Sequence, residues 1–162
     1  MFARKWFGWI NKMAIRTILP GEDPALRRVC RPVQAIDDNI RQLAGDLVET
    51  LKKADGVGLA APQVGILRRL FVVDVGQGPT VFINPTLRKH AGSVLGNEGC
   101  LSLPGMRRDV FRPTNVTVEA LDLDGNLMEY SGQGLFARAI CHEMDHLEGI
   151  LLTDRVEKQA RG

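Results

Sequence analysis

His142-Glu143-Met144-Asp145-His146 is the stretch on which the reading of this chain turns. A spacing of four places the two histidines on one face of a helix, one turn apart, where both imidazoles can share an ion. Glu143 stands roughly 100° round the helix from His142, within reach of a water on that ion. Leu135 and Ala139 share the histidine face, while Ile140, Met144 and Leu147 cover much of the rest. A helix apolar nearly all round is a buried helix. Two histidines and a glutamate inside it carry a desolvation cost that only partners or a ligand offset. A bare His-Glu-x-x-His match does occur by chance, and a lone helical histidine is more often a hydrogen-bonded core residue. Here two of the chain's three histidines fall in one short buried segment. That favours a metal site over coincidence.

The third ligand has to come from upstream. A zinc peptidase of one kind would follow this motif with a histidine at position 152, where the chain has Leu152. Another kind takes a glutamate from a later helix, and only Asp154 and Glu157 remain. His90 is possible, but it lies in the polar run Arg88-Lys89-His90 and is expected to be exposed. Cys100, in Glu98-Gly99-Cys100-Leu101-Ser102, is the better candidate. A Cys/His/His set leaves one position open for water, as a catalytic ion requires. Cys141 points about 100° away from its neighbour His142 and reads as a core cysteine. Cys30 carries no functional signal.

Outward from the motif, the chain reads as α+β. Ile40, Leu43, Leu47 and Leu51, widened by Ala44 and Val48, recur at helical spacing. They give an N-terminal amphipathic helix that Asp37 or Asp38 caps and Asp55-Gly56 ends. Leu70–Val75 and Thr80–Ile83 read as strands, the second closed by Asn84-Pro85. Val116, Val118 and Ala120 alternate with Thr117, Glu119 and Leu121, and Asp124-Gly125 turns a hairpin into Asn126–Tyr130. Ser131–Gly134 then leads into the metal helix, which Gly149 terminates. Strands in hairpins with flanking helices make the sheets mostly antiparallel, around a buried C-terminal metal-binding helix. The expected organisation is a loose basic and aromatic extension over 1–12, a single catalytic domain over 13–155, and a short polar tail over 156–162.

Composition agrees with a soluble domain. At 162 residues with 44% apolar and 25% charged side chains, the chain is long enough for one real core. A net charge of +2 gives no field that would recruit nucleic acid, so no direct nucleic-acid binding is expected. Three cysteines do not make a disulfide framework, which points to a reducing cytoplasm. No apolar run is long enough for a transmembrane segment. Residues 1–12 mix Arg4, Lys5 and Lys12 with Phe2, Trp6, Phe7, Trp9 and Ile10. They lack the apolar core and cleavage site of a signal peptide. An interfacial membrane helix is the alternative there to a loose extension.

Gly56-Val57-Gly58-Leu59-Ala60-Ala61-Pro62-Gln63, Glu98-Gly99-Cys100-Leu101-Ser102 and His142-Glu143-Met144-Asp145-His146, in this order and spacing, resemble the three signature motifs of peptide deformylases. The resemblance runs roughly from Met13 to Arg155, and jointly the motifs are far more specific than any one alone. It implies hydrolysis of the formyl group from N-formylmethionyl peptides, the nascent chains at the ribosome, with release of formate. It implies one divalent metal ion, Fe²⁺ as the native one, with Zn²⁺, Ni²⁺ or Co²⁺ able to occupy the site. Ligand chemistry by itself would favour Zn²⁺. A hydroxide on the ion is then the nucleophile and Glu143 the general base and acid.

By the same resemblance the Gln63 amide and the Leu101 backbone N–H stabilise the oxyanion. Gly56 and Gly58 let the substrate backbone approach like an added strand; plain turn chemistry is the other reading. Arg107 corresponds to a substrate-side arginine, and Glu98 reads as a structural hydrogen-bonding residue. Asp145 faces away from His142, where it is either paired with Arg112 or solvated. Cys141 departs from the family's frequent glutamine before the first histidine. The stretch after Glu157 is shorter than the basic C-terminal helix by which some members dock on the ribosome, so the docking mode stays open. An organellar member is the alternative to a bacterial cytoplasmic one.

Overall fold

The computed structural model describes residues 13–161; the predicted extension over 1–12 lies outside them. The first α-helix, α1 (Asp38–Ala54), begins where the Asp37 side chain accepts a hydrogen bond from the Ile40 N–H at 2.9 Å. It ends where Asp55 turns left-handed at φ 54°, as the capping residues predict. Leu43, Ala44, Leu47, Val48 and Leu51 are all buried, the stripe that the sequence spacing traces.

Five strands form one antiparallel sheet in the order β1 (Gly58–Ala60), β2 (Leu70–Val73), β3 (Thr80–Ala91), β6 (Asn115–Leu121) and β7 (Leu127–Gln133). All four residues of β2 are buried, because the centre of this sheet is covered on both faces. Leu70, Val72, Val81 and Ile83 pack with α1 on one side. Phe71, Val73, Phe82, Val116 and Val118 pack on the other against Ile140 and Leu147 of α2 (Leu135–Leu147). Alternate residues therefore feed two cores, and α2 is held flat against the second. Gly149, at φ 72° and tight against the Arg27 carbonyl, turns the chain out of α2 as predicted.

Asn84-Pro85 does not close the strand, contrary to expectation. β3 runs on through it to Ala91 by way of an irregularity between Ile83 and Thr86 in its pairing with β6. Asn84 takes a left-handed φ of 50°, which asparagine tolerates. Its side-chain amide bonds the Val33 N–H and carbonyl, each at 2.8 Å. The missing N–H of Pro85 falls at the bulge, where no ladder bond is lost.

A second antiparallel pair, β4 (Val94–Cys100) and β5 (Leu103–Arg112), reverses at Leu101-Ser102. The sequence reading assigned no strands there. A third helix, α3 (Leu152–Arg161), includes most of what reads as a polar tail. Leu152 and Val156 pack with Cys100 and Val110, and the Gln159 amide bonds the backbone of Phe111. The two apolar anchors stand four positions apart, and a single pair is too few for a periodic pattern to show.

Candidate metal centre

α2 carries His142 and His146 one turn apart, with their Nε2 atoms 3.2 Å from each other. Cys100 arrives from the end of β4, where the hairpin bends, and sets Sγ 3.5 Å from His146 Nε2. Among the described residues this is the one group of three Cys, His, Asp or Glu donors close enough to share an ion, all within 4.8 Å of one another. His90 lies exposed on β3 opposite Val116, away from the cluster. Cys30 and Cys141 are buried in the second core. Burial raises both thiols, that of Cys30 to about 11, so neither offers a thiolate.

The donor set has the chemistry of a cation site. Burial, then the charge of His142, lowers the pKa of His146 well below 6.5, so its ring is neutral and can offer a lone pair. Burial alone would also discharge His142. Its hydrogen bonds with Cys100 and Glu98 outweigh that and raise its pKa to about 10. A positive charge is thus favoured at the spot where thiol and imidazoles meet. Glu143 is buried with Oε2 lacking any hydrogen-bond partner and Oε1 3.9 Å from His142 Nε2. A buried oxygen left so costs about 1–3 kcal/mol unless a ligand or water completes it. Burial raises its pKa from 4.5 to about 7. The residues therefore fit a divalent ion with a proton acceptor beside it.

Behind the donors lies a network of charges. His142 Nδ1 meets Glu98 Oε1 at 2.6 Å, which fixes the ring and leaves Nε2 facing the cluster. Arg112 bonds Glu98 through Nη2 at 2.6 Å and Nε at 3.1 Å, and reaches Asp145 through Nη1 at 2.8 Å. Arg138 adds a bond to Glu98 Oε2 at 2.9 Å and ties the carbonyls of Val94, Gly96 and Val110. Burial works against a charge on Glu98, but the bonds to His142 and Arg112 outweigh it and hold its pKa at about 2. The Arg112–Asp145 pair and the structural place of Glu98 are as the sequence suggests. Arg138 went unnoticed, although it precedes His142 by four residues and so shares its face.

Gln63 is fully buried in a 3-10 turn over Ala61–Val64. Its Oε1 accepts from the Ala60 N–H at 3.0 Å, and its Nε2 donates to Ser102 Oγ at 3.1 Å and lies 3.7 Å from Cys100 Sγ. The amide nitrogen therefore faces the donor cluster. Ser102 is a partner the sequence reading did not single out, though it sits in the same motif as Cys100.

In front of the donors opens a cavity of about 450 Å³, the size of a small-ligand site. Gly56, Gly58, Leu101, Arg107, His142 and Glu143 all line it. The space at the two glycines is already used from within. A Cβ on Gly58 would stand 3.0 Å from the Glu143 carboxylate, and one on Gly56 2.8 Å from Leu101 Cδ1. Arg107 lies at the exposed rim, its Nε bonded to Asn97 and its guanidinium over Gly99.

The profile of the polypeptide deformylase family matches residues 15–162. Peptide deformylases of Alkaliphilus metalliredigens and Clostridium botulinum are 52% and 51% identical, each over 91% of this chain and 100% of its own length. Among solved structures, the peptide deformylase of Thermus thermophilus superposes with a TM-score of 0.86 at 42% identity, covering 91% of this chain and 89% of its own. That of Thermotoga maritima gives 0.85 at 39%, covering 87% and 97%.

Proposed function

The chain belongs to the peptide deformylase family, enzymes that remove the formyl group from nascent peptides with a metal ion, and on that premise we propose which residues do the work. Cys100, His142 and His146 hold the ion, and Glu143 is the general base and acid. The carrying observation is the convergence of three buried donor atoms beside the unpartnered Oε2 of Glu143. When bound, the ion acidifies a water and polarises the formyl oxygen.

Glu143 takes the proton of that water at its free carboxylate oxygen and delivers it to the departing amine. Gln63 donates an N–H of its amide to the formyl oxygen as negative charge grows there, and the Leu101 backbone N–H is the second donor. Support for Gln63 is its fixed orientation: Ala60 holds Oε1 and Ser102 holds Nε2. The formylmethionyl substrate lies in the cavity, with Gly56 and Gly58 beside its backbone and Arg107 at the rim. Fe²⁺ as the native ion follows the family resemblance, since soft thiolate and imidazole donors suit Zn²⁺ as well.

The catalytic unit is one domain that starts at about residue 13 and runs past the expected boundary at 155 into α3, in the cytoplasm. That location is supported by three unpaired cysteines and by the bacterial sources of its relatives. Among the described residues, no helix is long and apolar enough to cross a membrane. Nascent chains are the partners, met at the ribosome.

Anaerobic purification with metal analysis, followed by formate release from a formylmethionyl peptide, tests the reading. One ion per chain and stoichiometric formate are expected. Cleavage of internal peptide bonds without formate would overturn it.

Two further results are expected of the same assay. Gly58→Ala pushes a methyl onto the Glu143 carboxylate. The far end of a side chain can swing aside, so the thermal midpoint barely moves. Losing an aligned base should lower kcat/KM by roughly tenfold or more; unchanged kinetics would free Glu143 from this contact. The pH profile should show an acidic limb, because the base works only when ionised. Burial raises Glu143 to about 7, and a bound cation draws it back down. Activity therefore rises with pH through a midpoint between about 4.5 and 7. A limb above that range would remove Glu143 as its source.

A further inference from the structure

Helix α3 reaches the metal centre from behind by two independent contacts. Leu152, in its first turn, is buried with Cys100 and Val110 in one apolar cluster. Arg155 forks onto Asp145, with Nε 2.9 Å from Oδ2 and Nη2 2.6 Å from Oδ1. Asp145 directly precedes His146, and its Oδ2 also accepts from Arg112, which forks in turn onto Glu98, the partner of His142 Nδ1. Charge-assisted bonds thus run unbroken from the C-terminal helix to a ring nitrogen of a proposed ligand. Asp145 and Glu98 share one guanidinium, that of Arg112. Arg155 relieves the competition by taking one oxygen of Asp145 for itself. Without it, a carboxylate 8% exposed draws on Arg112 alone and pulls it from Glu98.

We propose that Arg155 is a positioning residue for the reaction: from α3 it sets the tilt and tautomer of His142 through Asp145, Arg112 and Glu98. The C-terminal helix is then part of the metal centre. The proposal rests on Cys100, His142 and His146 being the ligands.

The test uses the full chain loaded with Co²⁺, reading the visible bands of the ion and its rate of loss to a chelator. Arg155→Met should lose Co²⁺ about tenfold faster, the low end of what removing such an outer partner costs in affinity, with shifted bands. Arg155→Lys keeps the charge but cannot fork, and should fall between Arg155→Met and the parent. Arg27→Met deletes the exposed Arg27–Asp154 pair, which also docks α3 but leads to no ligand, and should match the parent in both readouts. If Arg155→Met does not fold, Arg155→Lys carries the test with a few-fold faster loss. Parent-like bands and retention in every Arg155 variant that folds, or equal loss from Arg27→Met, would overturn the role of Arg155. Full Co²⁺ binding by His142→Ala would instead sink the ligand assignment beneath it.

Discussion

Glu143→Gln should keep the metal, lower formate release by about 100-fold or more, and make the metal-depleted protein more stable. The two signs come from one cause. Glu143 is 2% exposed, and one of its oxygens has no hydrogen-bond partner. Burial raises its pKa from 4.5 to about 7. A carboxylate with a raised folded pKa costs nothing below its unfolded value. The penalty grows as pH rises from about 4.5 to 7 and is full above that. At pH 8 the neutral amide removes it, a gain of about 1–3 kcal/mol without the ion. Glutamine keeps the shape, and its amide cannot accept a proton from water. Thermal midpoints with and without metal, beside kcat, check both arms. Retained turnover would mean that another group moves the proton. A lower midpoint in the metal-depleted variant would mean that the ionised carboxylate is satisfied in the fold.

What the sequence made legible follows from periodicity. α1 and α2 bury continuous apolar faces, so their spacing shows, and their caps are standard chemistry. β2 shows as an apolar run because both its faces are covered. The β4–β5 hairpin does not show, since its inward residues include Glu98 and Arg112, charged groups paired with each other rather than apolar ones. A pattern of hydrophobicity cannot see an interior built from ions. The same holds for α3, whose Arg155 reads as surface charge until Asp145 is placed ten residues before it in sequence and 2.6 Å away in space. At the site, the three proposed ligands and Glu143 are visible because metal chemistry restricts residue type and spacing. Ser102 and Arg138 were not, because a hydroxyl or guanidinium that orients another side chain has no such signature. The glycines were read as room for substrate, and the structure adds a nearer occupant for each, Leu101 and Glu143.

Arg112→Met should destabilise the protein by about 3–5 kcal/mol, the usual cost of breaking a buried pair from one side. For a chain of this size that is a fall of roughly 10 °C in thermal midpoint. Its side chain is 4% exposed, and those of Glu98 and Asp145 are 5% and 11%. Water cannot replace the three bonds that the guanidinium makes. Glu98 would keep Arg138 and Asp145 would keep Arg155, which sets the cost nearer the lower figure. The pH dependence carries the diagnosis. With its folded pKa held at about 2, Glu98 contributes stability that is present above about 4.5 and lost as pH falls toward 2. Removing Arg112 takes away two of the bonds that lower this value, so acid unfolding should move to higher pH. Adding Glu98→Gln to Arg112→Met should recover part of the loss, because it removes a buried charge that has lost its two bonds to Arg112. If Arg112→Met costs under about 1 kcal/mol, the range of a solvent-exposed pair, the network behaves as surface charge. Neither the fixed ring of His142 nor the reach of α3 into the metal centre could then rest on it.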